Sequence, residues 1–204
     1  MTKYIALLLG VLLAATTLAC GDDEDDPTPT APAATTAAVA PSPTKAAEGG
    51  PTNIAVVDAA IKAALAGDTV ALTALTRPQT LTCQMNPSGP IPAKPKCLGT
   101  QAEGATVQAV LIASGSGGWR QASELPEVWP NWLGPSRELY AVKKLDKADE
   151  LSGALYHVVF VRPDKMGTSL RISADGIVGI GFDPSFNPRQ QADGPTGTFI
   201  IPPK

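Results

Sequence analysis

The chain predicts an α+β domain in which two short helices precede a largely antiparallel sheet, with unfolded segments ahead of both. Three observations carry that prediction. Residues 54–75 repeat their apolar positions at helical spacing, residues 106–182 change to a period of two, and Asp175-Gly176 sits between two alternating runs as a tight-turn signal. Helices gathered ahead of strands, rather than alternating with them, make the α+β pattern.

The beginning of the chain is organised differently. Lys3 is followed by fifteen uncharged, mostly apolar residues, 5–19, then by Cys20, Gly21 and the five acids Asp22, Asp23, Glu24, Asp25 and Asp26. A positive start and a short apolar stretch make up a secretory signal, and the stretch falls below the about 20 residues that a transmembrane helix needs. Residues 21–53 are dominated by Ala, Thr, Pro, Gly and acid, with Pro27, Pro29, Pro32, Pro41, Pro43 and Pro51 interrupting the alanines. Without aromatic residues this segment has too little apolar area to offset the entropy of ordering. It reads as a disordered linker, about 30 Å long as a loose coil and about 100 Å if stiffened throughout by proline. The acidic run reads as a solvated stretch that repels itself and stays open.

Thr17-Leu18-Ala19-Cys20 resembles the processing site of bacterial lipoprotein signals, with Thr17 where leucine is usual and Leu18 where a smaller residue is commoner. The resemblance covers the first twenty residues. It implies a signal peptide over 1–19, a diacylglyceryl group on the Cys20 sulfur, acylation (a palmitate, for example) at the new amino terminus, and a linker over 20–53 ahead of a globular domain at 54–204. The protein would then be exported and lipid-anchored to the extracytoplasmic face of the bacterial cell membrane, its partner there. Two or three acyl chains anchor durably where one holds only marginally. Cleavage by the general signal peptidase, releasing a soluble protein that begins at the same cysteine, is the competing reading of these residues.

In the globular part the formal charge of −3 nearly disappears: from Ile54 onward there are fourteen Lys and Arg and thirteen Asp and Glu, scattered without a stripe. No nucleic-acid partner is expected of such a surface. Asn53 reads as the cap of a first helix with Ile54, Val57, Ile61 and Leu65 on one stripe and Gly67 past its end. Asp68 caps a second, which Arg77-Pro78 closes. Four prolines between Cys83 and Cys97 make that stretch an irregular excursion. In an exported chain these cysteines read as a disulfide closing about 15 residues, worth about 3 kcal/mol. Metal binding is the alternative, and it needs further ligands in a chain with one histidine. Strands follow over 106–111, 137–145, 154–163, 168–173 and 177–182, with a polar loop over 146–153. The prolines of 119–134 argue against a long helix there, those after Phe182 make the tail read as extended, and Gly179 and Gly181 suit a bend or the close approach of a neighbouring element.

"AALAGDTVALTAL" and "SLRISADGIVGIGFD" resemble the helix pair and last hairpin of the nuclear transport factor 2-like, or ketosteroid-isomerase-like, superfamily. Over residues 54–183 this implies a cone-like architecture, with helices across a strongly curved sheet and a pocket that serves enzymes, ligand binders and dimerisation modules alike.

His157, the one histidine, alternates with Leu155, Val159 and Val161 and is the candidate for proton transfer. Read blandly, it is a packed strand histidine. Trp119, Trp129 and Trp132 cluster in one segment and, with Tyr140 and Tyr156, are the candidate ligand-binding aromatics; otherwise the tryptophans pin a loop to the sheet. The acid pair and tyrosine of the isomerases cannot be mapped residue by residue, and no cofactor or metal is expected. The reading that follows is a surface lipoprotein that binds a small ligand or a protein. The alternative is a small cone enzyme of isomerase or hydratase type with His157 as acid and base.

Overall fold

The computed structural model describes residues 50–89, 92–113, 117–133, 137–182 and 187–204. Residues 1–49, on which the expected signal peptide, the candidate lipidation site Cys20 and most of the expected linker fall, lie outside them. Among the described residues no helix is long and apolar enough to cross a membrane.

Helix α1 (Ala55–Ala66) ends as expected on left-handed Gly67, with the Gly67 and Asp68 N–H groups donating back to Ala64 and Ala63. Its start differs from the expectation. Asn53 has φ 58° and Ile54 occupies the cap position without a side-chain bond. Asp58 in the first turn instead accepts from the Thr52 N–H and hydroxyl at 3.0 and 2.7 Å. Buried Ala60, Ala63 and Ala64 complete the inward face with Val57 and Ile61, while Leu65 is exposed. Helix α2 (Thr69–Leu75) carries the predicted cap, Asp68 accepting from the Ala71 N–H at 2.9 Å.

Among the described residues eight strands form one open, mostly antiparallel sheet: β1 (Gln79–Thr82), β2 (Thr106–Ala113), β3 (Gly118–Gln121), β4 (Glu138–Leu145), β5 (Tyr156–Val161), β6 (Gly167–Ile172), β7 (Ile177–Phe182) and β8 (Gly197–Ile201). They lie in the order β1-β2-β7-β6-β5-β4-β8, with β3 also on β2, and the β2–β7 pair is parallel. The hairpin between β6 and β7 closes at Ser173 and Gly176, where the sequence places its Asp-Gly turn. Exposure alternates along β1 and at the start of β2, but β5 and β7 are buried on both faces, so the sheet is covered on each side there.

One cover is α1, α2 and α3 (Leu125–Leu133), packed on Val110, Ile112, Val142, Val158, Phe160, Leu170 and Ile180. The prolines do not prevent α3, which holds Pro130 inside it. Leu125, Val128, Trp129 and Trp132 stand at helical spacing and all join the main core, and this apolar stripe outweighs the hydrogen bond that proline forgoes. The tail is likewise not simply extended. Asn187 and Gln190 cap each other at 2.9 and 3.0 Å to start α4 (Pro188–Asp193), and β8 then pairs with β4. Helix α4 covers the opposite face, where Ala192 meets Ala141 and Val159. It is held close because Gly167 has no Cβ; one would lie 2.9 Å from the Pro188 Cα.

Cys83 and Cys97 form a disulfide with their Cα atoms 5.0 Å apart, clustered with Val107. The loop between them is irregular as expected but tied down by bridges from Gln84 to Lys96 and from Ala93 to Gly118. Replacing both cysteines with serine is expected to lower unfolding stability by about 3 kcal/mol, read as a lower urea midpoint.

Candidate functional site

Lys143 on β4, His157 on β5 and Arg171 on β6 face one another as direct cross-strand neighbours, and Gly179 on β7 continues the row. Val159, Ser169 and Gly181 make the next row on the same face. The period of two puts both rows on the side of α4, away from α1–α3. The glycines leave β7 bare there: a Cβ at 179 would lie 3.3 Å from Arg171 Cδ, and one at 181 would fall on the Ser169 hydroxyl. This close approach gives Gly179 and Gly181 their reason. Between the rows and α4 lies a recess of about 420 Å³, lined by Asp149, His157, Ser169, Arg171, Gln190 and Gln191 among others.

Each polar group in the recess is held from a different element. Asp149, in the β4–β5 loop, accepts from the Ser152 N–H and hydroxyl at 2.8 and 2.7 Å, and its other oxygen accepts from Arg171 Nη1 at 2.8 Å. Burial raises its pKa, but the Ser152 bonds, Arg171 and the Leu151 N–H together hold it below the usual carboxylate value. Lys143 is buried beside the recess; its Nζ donates to the Pro195 carbonyl at 2.8 Å and stands 4.4 Å from the centre of the Phe199 ring. Gln191 donates to the Gly167 carbonyl at 2.7 Å, and its Oε1 is buried with no partner among the described residues.

His157 is buried among these groups, and among the described residues its Nδ1 has no hydrogen-bond partner. Burial, then the charges of Arg171 and Lys143, push its pKa down to about 3, against a weaker pull from Asp149. The ring is therefore neutral across the physiological range. The lining holds one cation and one carboxylate, Arg171 and Asp149, and Lys143 adds a positive charge beside it, while a neutral imidazole, a hydroxyl and an amide oxygen offer directed hydrogen bonds. Among the described residues no three His, Cys, Asp or Glu side chains gather as a metal site.

The aromatic candidates scatter. Trp129 is fully buried in the main core with Nε1 donating to Thr73 at 3.1 Å, so it forms no lip for a ligand. Tyr156 packs on that same core and Tyr140 on the α4 side, on opposite faces of the sheet. Neither tyrosine lines the recess with His157. Trp119 and Trp132 do come together, lining a second recess of about 330 Å³ with Lys94, Lys96 and Arg120.

Of the recess residues sequence reasoning found only His157. Lys143 and Arg171 did not stand out, because their strands carry other polar residues, Glu138 and Lys144 on β4 and Thr168 and Ser169 on β6. Asp149 carried no signal, lying with Asp146 and Glu150 in one polar loop, and Gln191 stands in a tail that gave no helical period. Comparison with protein-family models, curated proteins and solved structures finds no match to this chain.

Proposed function

We propose that the protein is an exported lipoprotein, anchored through Cys20 and spaced from the bilayer by its linker, that binds a small anionic ligand in the recess beneath α4. The signal-like residues 1–19 and the cysteine directly before an acidic linker support the anchor. The observation that carries the binding role is Arg171, bonded on one side to Asp149 and facing a recess where His157 Nδ1 lacks a partner; Gln191 Oε1, also without one, is an acceptor that a hydroxyl elsewhere on the ligand would satisfy. A buried group without a partner invites one from a ligand. The cone-like architecture of the nuclear transport factor 2-like superfamily belongs to the same proposal, supported by the two helices ahead of a mostly antiparallel sheet and by three helices packed on one face.

Binding is favoured over proton transfer. A base that titrates near 3 is mostly unable to take a proton at neutral pH, and no carboxylate among the described residues bonds to the His157 ring.

Titration of the full chain with succinate, and with uncharged succinamide as control, tests the site. Succinate is expected to raise the melting temperature and succinamide to leave it unchanged, with the response lost in Arg171→Gln and weakened in Ser169→Ala. Equal responses to both compounds, or a full response in Arg171→Gln, would refute the anionic ligand. Mass spectrometry of the native protein tests the anchor: an unmodified thiol at Cys20 defeats it.

A further inference from the structure

The second recess has a chemistry of its own. We infer that the groove between the disulfide loop and the β2–β3 hairpin is a binding site for an acidic saccharide chain, with Trp119 as the stacking platform and Lys94 and Lys96 as the anion contacts. It shares no lining residue with the α4 recess.

The lysines are presented by a fixed backbone. Along 94–97 exposure alternates, Lys94 and Lys96 outward, Pro95 and Cys97 buried, so both ammonium groups leave the same side. That segment is pinned at several points: Cys97 through the disulfide and its N–H to the Gln84 carbonyl, Lys96 through its carbonyl to Gln121 Nε2 at 2.7 Å, and Ala93 through its carbonyl to the Trp119 N–H at 3.1 Å. Among the described residues neither lysine has an ion-pair partner, while Arg120 is paired with Glu124 at 3.3 Å. Two cations are thus held two residues apart, with their charge unspent.

The three tryptophans divide by role. Trp129 is core, and Trp132 packs on the core and edge-on to Phe182 at 5.2 Å. Trp119 joins none of the hydrophobic clusters, although it is only half-buried and lines the groove. A large amphipathic ring held in a recess by its own strand, with no core to fill, suits stacking against the apolar face of a sugar. Charges flanking the ring select a sugar bearing carboxylate or sulfate. The site is a recess, lined also by Pro87, Ala93 and Ile112, and so suits a chain laid into it better than a flat bilayer, which aromatic residues enter by protruding.

Titration of the full chain with a galacturonic-acid oligosaccharide, followed by tryptophan fluorescence, tests the inference against a neutral glucan of equal length and against vesicles of anionic phospholipid. The acidic oligosaccharide is expected to bind saturably, with about tenfold weaker affinity in Trp119→Ala and in the Lys94→Ser/Lys96→Ser pair, and with affinity falling as salt rises. Trp119→Tyr is expected to retain binding, which separates loss of a platform from loss of the fold. Arg171→Gln is expected to leave this binding unchanged, which separates the groove from the recess beneath α4. Equal binding of the neutral glucan, unchanged affinity in the lysine pair, or binding to vesicles alone would each overturn the assignment.

Discussion

Trp129→Ala is expected to lower unfolding stability by about 3–5 kcal/mol, the range for removing a large aromatic side chain from a packed core. The ring is fully buried among residues from α1, α2, α3 and the sheet. Its Nε1–H bond to the Thr73 hydroxyl, 3.1 Å long, ties α3 to α2, so the substitution leaves both a cavity and a hydroxyl without its partner. Against the about 5–15 kcal/mol of a typical domain this removes a large share, visible as a lower urea midpoint. Trp119→Ala, outside every core cluster, is expected to cost less than about 1 kcal/mol. Equal losses at the two positions would contradict this division of the tryptophans.

Acidification is expected to have the second large effect, through His157. In the unfolded chain the imidazole protonates below about 6.5, but in the folded protein only below about 3. Between those values the unfolded state carries the extra proton, so stability is full above about pH 6.5 and falls as the pH drops. The loss is on the order of 2 kcal/mol by pH 5 and continues toward pH 3. The groups facing the ring are Lys143 from β4, Arg171 from β6 and Asp149 from the β4–β5 loop. Asp149, held below its usual value, adds its own loss only at lower pH, as it protonates. Because His157 is the one histidine in the chain, a slope near pH 6 has no other histidine to supply it. Urea titrations at pH 7, 6 and 5 should show the slope in the native protein and its disappearance in His157→Gln. An unchanged urea midpoint between pH 7 and 5 would show that the ring charges freely.

The elements that stood out in the sequence are those whose local chemistry agrees with their packing. The Asp68 cap, Gly67 and the Asp175-Gly176 turn each act within a few residues, and each is found in place. Helix α3 was hidden because two prolines argued locally against what its stripe of Leu125, Val128, Trp129 and Trp132 gains by packing. Helix α4 is only six residues long and rests on Gly167, a contact made across the fold. The candidate site was legible at His157 alone, because its charge arrives from Lys143, Arg171 and Asp149, brought together by strand register and a loop. Register is a property of pairs of strands, and a single run of residues does not display it.

The parallel pairing of β2 with β7 bears on the order in which the molecule can be completed. Residues 111–113 find their neighbours at 179–181, so the early helices and first hairpin wait for a ribbon made some seventy residues later. Until that ribbon arrives, the flank of β2 that it covers stays open, and the chain must be nearly finished before its middle can close.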